Sequence, residues 1–362
     1  MSDIWQFVVS VWGFIANFLN ILKDFATSIL LLFLPAWLVD IVTAVVNILV
    51  FIMFAITVVM SLVYFERRVI AFMQDRLGPN RVGPQGVLQP IADVLKLLTK
   101  EDIVPVNADP WVYKLATFAV VVPSLMIYTV IPFGPKLVIA DLNIGILYFI
   151  AIGSVTVVGI LMAGWGSNNK FALLGAMRAS AQVISYEIPL VFSIIGVAML
   201  ASSLSTVDIV NFQSAWLGLK WNVLFQPIGF FVFFLAATAE VNRTPFDLME
   251  AESEIVAGYH VEYSGIRFAL FFLAEYLESF AMAALAVTLF LGGWNGPIQP
   301  PWLWFIVKAY AVFFLFYWIR GTLPRVRVDQ LMGFAWKVLL PLALFNVLLT
   351  GIGIHVYHLI AR

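Results

Sequence analysis

The chain alternates long apolar runs with shorter polar connections. A helix needs roughly 20 apolar residues to cross a hydrocarbon core of about 30 Å. Runs of that kind lie near 41-64, 111-132, 144-163, 181-202, 222-240, 266-290, 302-320 and 336-358, and they predict eight transmembrane helices. Residues 1-40 are also apolar, but Lys23 and Asp24 divide them and Pro35 interrupts the second half. They read as an interfacial helix with a lead-in, ahead of an eight-helix membrane domain at 41-362. The opening MSDIWQFVV lacks the basic flank and small-residue cleavage site of a secretory signal, and it is expected to stay attached.

The first connection, 65-110, begins with Glu66, Arg67 and Arg68 at a helix end. It continues through LGPNRVGPQG, where Gly78, Pro79, Asn80, Gly83, Pro84 and Gly86 prevent regular structure. From Gln89, apolar Leu88, Ile91, Val94, Leu95 and Leu98 recur at helical spacing, while Asp93, Lys96 and Lys100 share the other face. That pattern predicts an amphipathic interfacial helix. The plain reading of the loop is a solvated connection anchored to lipid headgroups. Irregular Gly/Pro backbone beside a membrane, however, is tolerated where protein buries it or where it lines a cavity.

The connection at 240-265 is acidic. Glu240, Asp247, Glu250, Glu252, Glu254 and Glu262 accompany a single arginine, Arg243. So many carboxylates in one short stretch repel unless some hold protons or face cations elsewhere, which makes proton handling the first chemistry to consider. Glu187 lies inside a predicted span, about one and a half turns from its start, where a charge is expensive and functional by default. The alternative for Glu187 is a carboxyl capped by Ser185 and Tyr186. Glu275 and Glu278 sit three apart on one face of the sixth span. Lys308 in the seventh is read as snorkelling or as a relay.

Composition narrows the class. The chain is 62% hydrophobic and 11% charged, with a mean hydropathy of +0.99. A soluble domain carries about a quarter charged residues, so this is an all-α polytopic membrane protein with structured loops. A net charge of -1 gives no sign of nucleic-acid binding. With no Cys, the chain cannot hold thiolate-ligated clusters, disulfides or Cys-ligated zinc, so any redox centre must belong to a partner. His355 and His358 lack a nearby third ligand, and no phosphate loop or dinucleotide fingerprint is present. Arg67, Arg68, Arg76, Arg81, Lys96, Lys100, Lys170, Arg178, Arg243, Arg325 and Arg327 fall in odd-numbered connections, against only Lys136 and Lys220 in even ones. The positive-inside rule then puts the long odd loops in the cytoplasm and both termini outside.

Three segments carry a resemblance. YFERRVIAFMQDRLGPNRVGPQGVLQPIADVLKLLTKEDIVP at 64-105, SNNKFALLGAMRASAQVISYEIPL at 167-190 and AEVNRTPFDLMEAESEIVAGYHVEYSGIRFALFFLAEY at 239-276 closely resemble the signature regions of one family. It is the quinone-site membrane subunit of respiratory complex I, namely the H subunit of the bacterial NADH-quinone oxidoreductase and subunit 1 of the mitochondrial NADH dehydrogenase. The resemblance runs from about residue 41 to the end, and the first 40 residues look longer than the common family form.

The resemblance implies a subunit that forms the quinone entrance and chamber wall and couples quinone reduction to proton translocation. The membrane is expected to be the inner (plasma) membrane of the cell or an equivalent energy-transducing membrane, and the resemblance implies quinone as substrate and no cofactor bound by this chain. Iron–sulfur clusters and flavin are expected in partner subunits, and the neighbours are peripheral-arm quinone-site subunits, small membrane subunits and lipid. Catalysis is not expected from the isolated chain. Matched position by position, Arg67, Arg76 and Asp93 belong to the quinone chamber. Glu240, Asp247, Glu250, Glu252, Glu254 and Glu262 belong to the acidic coupling loop, and Glu187 and Glu275 are expected to carry the change into the membrane. Glu66, Arg68, Arg81, Arg243 and Phe246 are read as shaping the loops. For any one acid the plain alternative is an ion pair with an adjacent subunit. Competing readings are the membrane anchor of a related energy-converting hydrogenase and an independent proton-coupled transporter. The intact Glu66-Arg67-Arg68 and GPNRVGP elements favour the quinone branch, and two docking loops without an evident inverted repeat weigh against a transporter.

Overall fold

The computed structural model describes residues 35-135, 137-214, 220-249, 252-296 and 300-360. The expected interfacial helix before residue 35 lies outside them. The described residues are helical with no strand. The helices are α1 (Ala36–Met73), α2 (Gln89–Thr99), α3 (Pro110–Met126), α4 (Gly145–Gly166), α5 (Lys170–Ala201), α6 (Thr206–Phe212), α7 (Asn222–Phe225), α8 (Pro227–Glu240), α9 (Glu252–Ile255), α10 (Gly265–Phe290), α11 (Pro301–Thr322), α12 (Val328–Phe334) and α13 (Leu340–Ile360). A π-helical turn, Ala335–Leu339, joins the last two. Among the described residues, seven helical segments are long and apolar enough to cross a membrane.

The fifth predicted span differs. It breaks between α7 and α8 and leaves a 14-residue helix. Pro227 disfavours a helical residue before it, and Gln226 adopts φ −133°, ψ 60°. Two other spans run further than the apolar pattern suggests. Helix α5 starts at Lys170, not near 181, because Asn169 caps it by accepting from the Phe171 N–H at 2.8 Å. Its first turns mix apolar residues with Lys170, Arg178 and Gln182, which mask the continuity. Glu187 is therefore deep in the helix, not near its start. Helix α1 continues to Met73, so Glu66, Arg67 and Arg68 stand on its last turns.

Helix α10 is the axis of the bundle. Every residue from Ser279 to Phe290 is buried, as expected of a helix apolar on all sides. Helices α1, α3, α8 and α11 pack around it. Tyr128, just beyond α3, donates to the Leu277 carbonyl at 2.7 Å. Small residues let the helices approach closely: a Cβ on Gly159 would fall 2.9 Å from the backbone of α3, and one on Gly164 would collide with Ala176 of α5.

The first, third, fifth and seventh connections meet at one end of the bundle. Asp109 N–H donates to the Gly166 carbonyl at 3.0 Å, and Val326 N–H donates to the Pro245 carbonyl at 3.1 Å. The acidic loop seats on α5 through two glycines. A Cβ on Gly175 would lie 2.7 Å from the Gly258 Cα, and Gly258 has φ +61° with the Met249 carbonyl filling the place of any side chain.

Candidate functional site

At the loop end, α1, the amphipathic α2 and the start of α10 enclose a cavity of about 390 Å³. Its wall is mainly apolar, with Ile56, Val59, Met60, Phe268 and Phe272 among the lining residues. The polar feature is Arg67, whose Nη1 donates to Asp93 Oδ2 at 2.6 Å, while Lys96 stands 4.0 Å from the other Asp93 oxygen. Gln89 also donates to Asp93, at 3.2 Å. Asp93 lines the cavity while Lys96 borders it from an exposed position, and the apolar stripe of α2, with Ile91, Leu95 and Leu98, is exposed on the other side of the helix. An apolar chamber with a few convergent polar groups is the usual form of a site for an organic ligand. Arg67 also lines a second, more open recess, with Glu66, Ile70, Arg76 and Pro79. Arg76 is exposed there and donates to the Gln74 side chain at 2.7 Å.

Behind Arg67 lies a buried polar chain. Glu66 is 5% exposed and accepts from both Arg320 of α11 and Tyr276 of α10. The Arg243 guanidinium stacks 4.6 Å from the Tyr276 ring centroid and pairs with Glu275 at 3.1 Å. Arg243 is likewise 5% exposed. Burial alone would loosen its proton, but Glu275 and then Tyr317, Tyr276 and Glu66 raise its pKa above the ordinary arginine range.

One turn further into the membrane, Glu278 and Glu240 line a small cavity of about 20 Å³ between α3, α4, α5, α8 and α10, room for about one water. Glu240 Oε2 and Glu278 Oε1 have no protein hydrogen-bond partner among the described residues. Glu187 accepts from Ser154 of α4. The local hydroxyls considered for it are engaged elsewhere, Ser185 on the Ala181 carbonyl and Tyr186 on the Leu331 carbonyl.

The rest of the acidic loop is spread over separate partners. Asp247 faces Arg325 at 3.4 Å, Glu254 pairs with Arg178 at 2.5 Å, and Glu262 accepts from Asn169 at 2.6 Å. Glu250 lies outside the described residues, as does the side chain of Glu252. Crowding in sequence is thus relieved by cations on α5 and in the seventh connection. The loop is pinned by Phe246, which rests 5.6 Å from the Tyr186 ring and 6.5 Å from the Phe334 ring. Gln182 donates to the Ala239 and Phe246 carbonyls, both at 2.7 Å. In the first connection, Arg68 donates to Tyr64 Oη and the Gln85 carbonyl, each at 3.1 Å, while Arg81 is exposed.

Sequence reasoning missed Arg320, Tyr276 and the ion pair of Arg267 with Asp102 at 3.0 Å. Arg320 occupies an apolar-looking helix end, and nothing local links it to Glu66, 254 residues away. It also left Glu278 without a role, although a carboxyl one turn from Glu275 was a signal. Lys308 does not snorkel, and among the described residues no carboxylate pairs with it. It is 5% exposed and donates to the carbonyls of Leu291, Gly293 and Asn295 at 2.7, 3.0 and 2.7 Å, closing the C-terminus of α10.

A family model described as NADH dehydrogenase matches residues 46–351. The chain is similar to the NADH-quinone oxidoreductase H subunit of Dehalococcoides mccartyi, 56% identical over 83% of this chain and 84% of that protein. It is 55% identical to the H subunit of Brevibacillus brevis over 80% of this chain and 87% of the relative. One of the H subunits of Geobacter sulfurreducens is 50% identical, over 82% of this chain and 92% of its own length.

Proposed function

This chain belongs to the NADH dehydrogenase family, and on that premise we propose that it is the membrane H subunit of an NADH-quinone oxidoreductase, walling the quinone chamber and transmitting the effect of quinone reduction to protons in the membrane. The observation that carries the chamber reading is the apolar cavity of about 390 Å³ with the Arg67–Asp93 pair as its polar feature. Its apolar walls suit an isoprenoid tail. The Arg67 fork and the Asp93 carboxylate suit a headgroup that gains charge and then protons on reduction. Electrons come from iron–sulfur clusters and flavin in partner subunits, and this chain supplies binding and orientation.

Coupling then uses the buried chain. A charge appearing near Arg67 acts on Glu66, which shares Tyr276 and Arg320. Through Arg243 the change reaches Glu275, and Glu278 and Glu240 respond to it, because like charges in a low-dielectric site are strongly coupled, while Glu187 passes it on into the membrane. Asp247, Glu254 and Glu262, held by cations or an amide, tie the loop to the same event. The end of the bundle that carries Arg67, Arg178, Arg243 and Arg325 lies on the cytoplasmic side of the inner membrane in this reading.

The test uses assembled complex carrying Arg67→Ala or Asp93→Asn. Losing a charge-assisted contact worth about 1.5–3 kcal/mol predicts a fall of roughly 10- to 100-fold in quinone reduction, with electron transfer to a water-soluble acceptor retained. Unchanged quinone reduction overturns the chamber reading in favour of a hydrogenase anchor or a transporter. For the coupling route, Glu187→Gln is expected to assemble normally but to turn over quinone slowly, and wild-type coupled turnover would remove Glu187 from the route.

A further inference from the structure

The end of the bundle opposite the charged connections holds a cavity of about 760 Å³ between the ends of α5, α8 and α13. It arises because α8 is short. Its 14 residues span about 21 Å at 1.5 Å per residue, well under a core of about 30 Å. The part of the bundle it fails to fill is walled by apolar side chains such as Leu200, Ile228, Leu349 and Ile354. The floor is polar and closed. Gln226 and Asn346 are 2% and 4% exposed, and Asn346 Nδ2 and Gln226 Oε1 converge on one point, each 2.8 Å from where a Gly196 Cβ would stand. From that floor to His358 is twelve residues of α13, about 18 Å, the length of an extended acyl chain.

The mouth is basic. Lys220 and His358 line it, and among the described residues no Asp or Glu lines the cavity. Lys220 is held with its Nζ 4.4 Å from the Phe212 ring centroid. A lysine here runs against the general distribution of charge in this chain, which has few basic residues in its even-numbered connections. An apolar slot of acyl length, basic at its mouth and lined by no acid, is complementary to one amphiphile in particular.

We propose that this cavity binds an anionic glycerophospholipid, with one acyl chain in the gap left by α8 and the phosphate at Lys220 and His358. A zwitterionic lipid would gain less from the mouth, and a neutral quinone would offer the two basic groups carbonyl oxygens but no opposing charge. The lipid fills the bundle where a full-length helix would otherwise pass, and it is independent of the chamber beside Arg67.

The test is photo-crosslinking of assembled complex in phosphatidylcholine nanodiscs carrying a trace of phosphatidylglycerol with a diazirine on its acyl chain, read by peptide mass spectrometry. Labelling is expected on α13 between residues 345 and 357, weaker with the matching phosphatidylcholine probe. The Lys220→Gln/His358→Gln variant should lower phosphatidylglycerol labelling about fivefold and leave phosphatidylcholine labelling unchanged. Gly353→Phe should abolish labelling by either probe, since a Cβ there meets nothing within 4 Å and its ring would enter the slot. Labelling elsewhere on the complex reports that the variants are assembled. Equal labelling by both probes, insensitivity to Gly353→Phe, displacement by excess quinone, or no labelling because a neighbouring subunit fills the groove would each overturn the proposal.

Discussion

Replacing Arg243 by methionine should be among the most damaging single changes in this protein. Arg243 and Glu275 are 3.1 Å apart, with side-chain exposures of 6% and 11%, so removing the cation takes a neutralising charge away from a buried carboxylate. Breaking a buried pair from one side costs about 3–5 kcal/mol, and with both partners this well covered the full range applies. The double variant Arg243→Met/Glu275→Gln removes both charges together and should recover about 2 kcal/mol relative to the sum of the singles. Arg243→Lys keeps the charge but loses the planar stack on Tyr276 at 4.6 Å, a loss of about 1–2 kcal/mol. The assay is unfolding of the assembled complex by SDS titration, with protease resistance of the 241-264 loop as a second reading. If Arg243→Met costs under about 1 kcal/mol, or if the two substitutions are simply additive, the Arg243–Glu275 contact is not the buried, coupled pair described above.

Two further outcomes follow from the loop that carries the acids. His260 lies in the loop between the ring of Tyr259 at 5.0 Å and that of Phe268 at 5.5 Å. Burial lowers its pKa from the ordinary 6.5, against smaller upward pulls from Glu275 and Asp247. The folded state therefore binds fewer protons than the unfolded one, and stability falls as pH drops below 6.5. Protection factors across residues 255-264, with exchange corrected for its intrinsic pH dependence, should fall between pH 7.5 and pH 5.5 in the wild type, and His260→Gln should flatten that difference. Gly175→Ala should push the acidic loop away from α5, because the added methyl meets the Gly258 Cα at 2.7 Å and the Tyr259 N at 2.9 Å. Overpacking against backbone costs about 1–3 kcal/mol, and increased protease cleavage of the loop with intact assembly would register it.

The apolar runs determined the membrane class and the places of the seven long helices, because burying backbone in lipid permits little but a helix and because each run is long enough to cross. The spacing of Leu88, Ile91, Val94, Leu95 and Leu98 likewise determined α2, which begins at Gln89 as expected. The ends of helices were less legible. Lys170 and Arg178 in α5, and Glu66, Arg67 and Arg68 in α1, read as connection because hydropathy records side-chain polarity, whereas helix continuity depends on caps and backbone hydrogen bonds. The break at Gln226 depended on one proline inside a run that is otherwise uniform.

The polar site divides the same way. That Glu240, Glu275 and the loop carboxylates need partners followed from the sequence, since isolated charges in an apolar chain are costly. Which partners they took did not. Arg320 meets Glu66 across 254 positions, and Arg178 meets Glu254 across 76. Such pairs are set by how helices pack around α10, and that packing is set by close approaches at glycines such as Gly159, Gly164 and Gly175 that carry no charge signal. Sequence thus determined which groups had to be neutralised or paired, and tertiary structure alone decided with whom, because the distance between two side chains is a property of the packed bundle and not of their spacing along the chain.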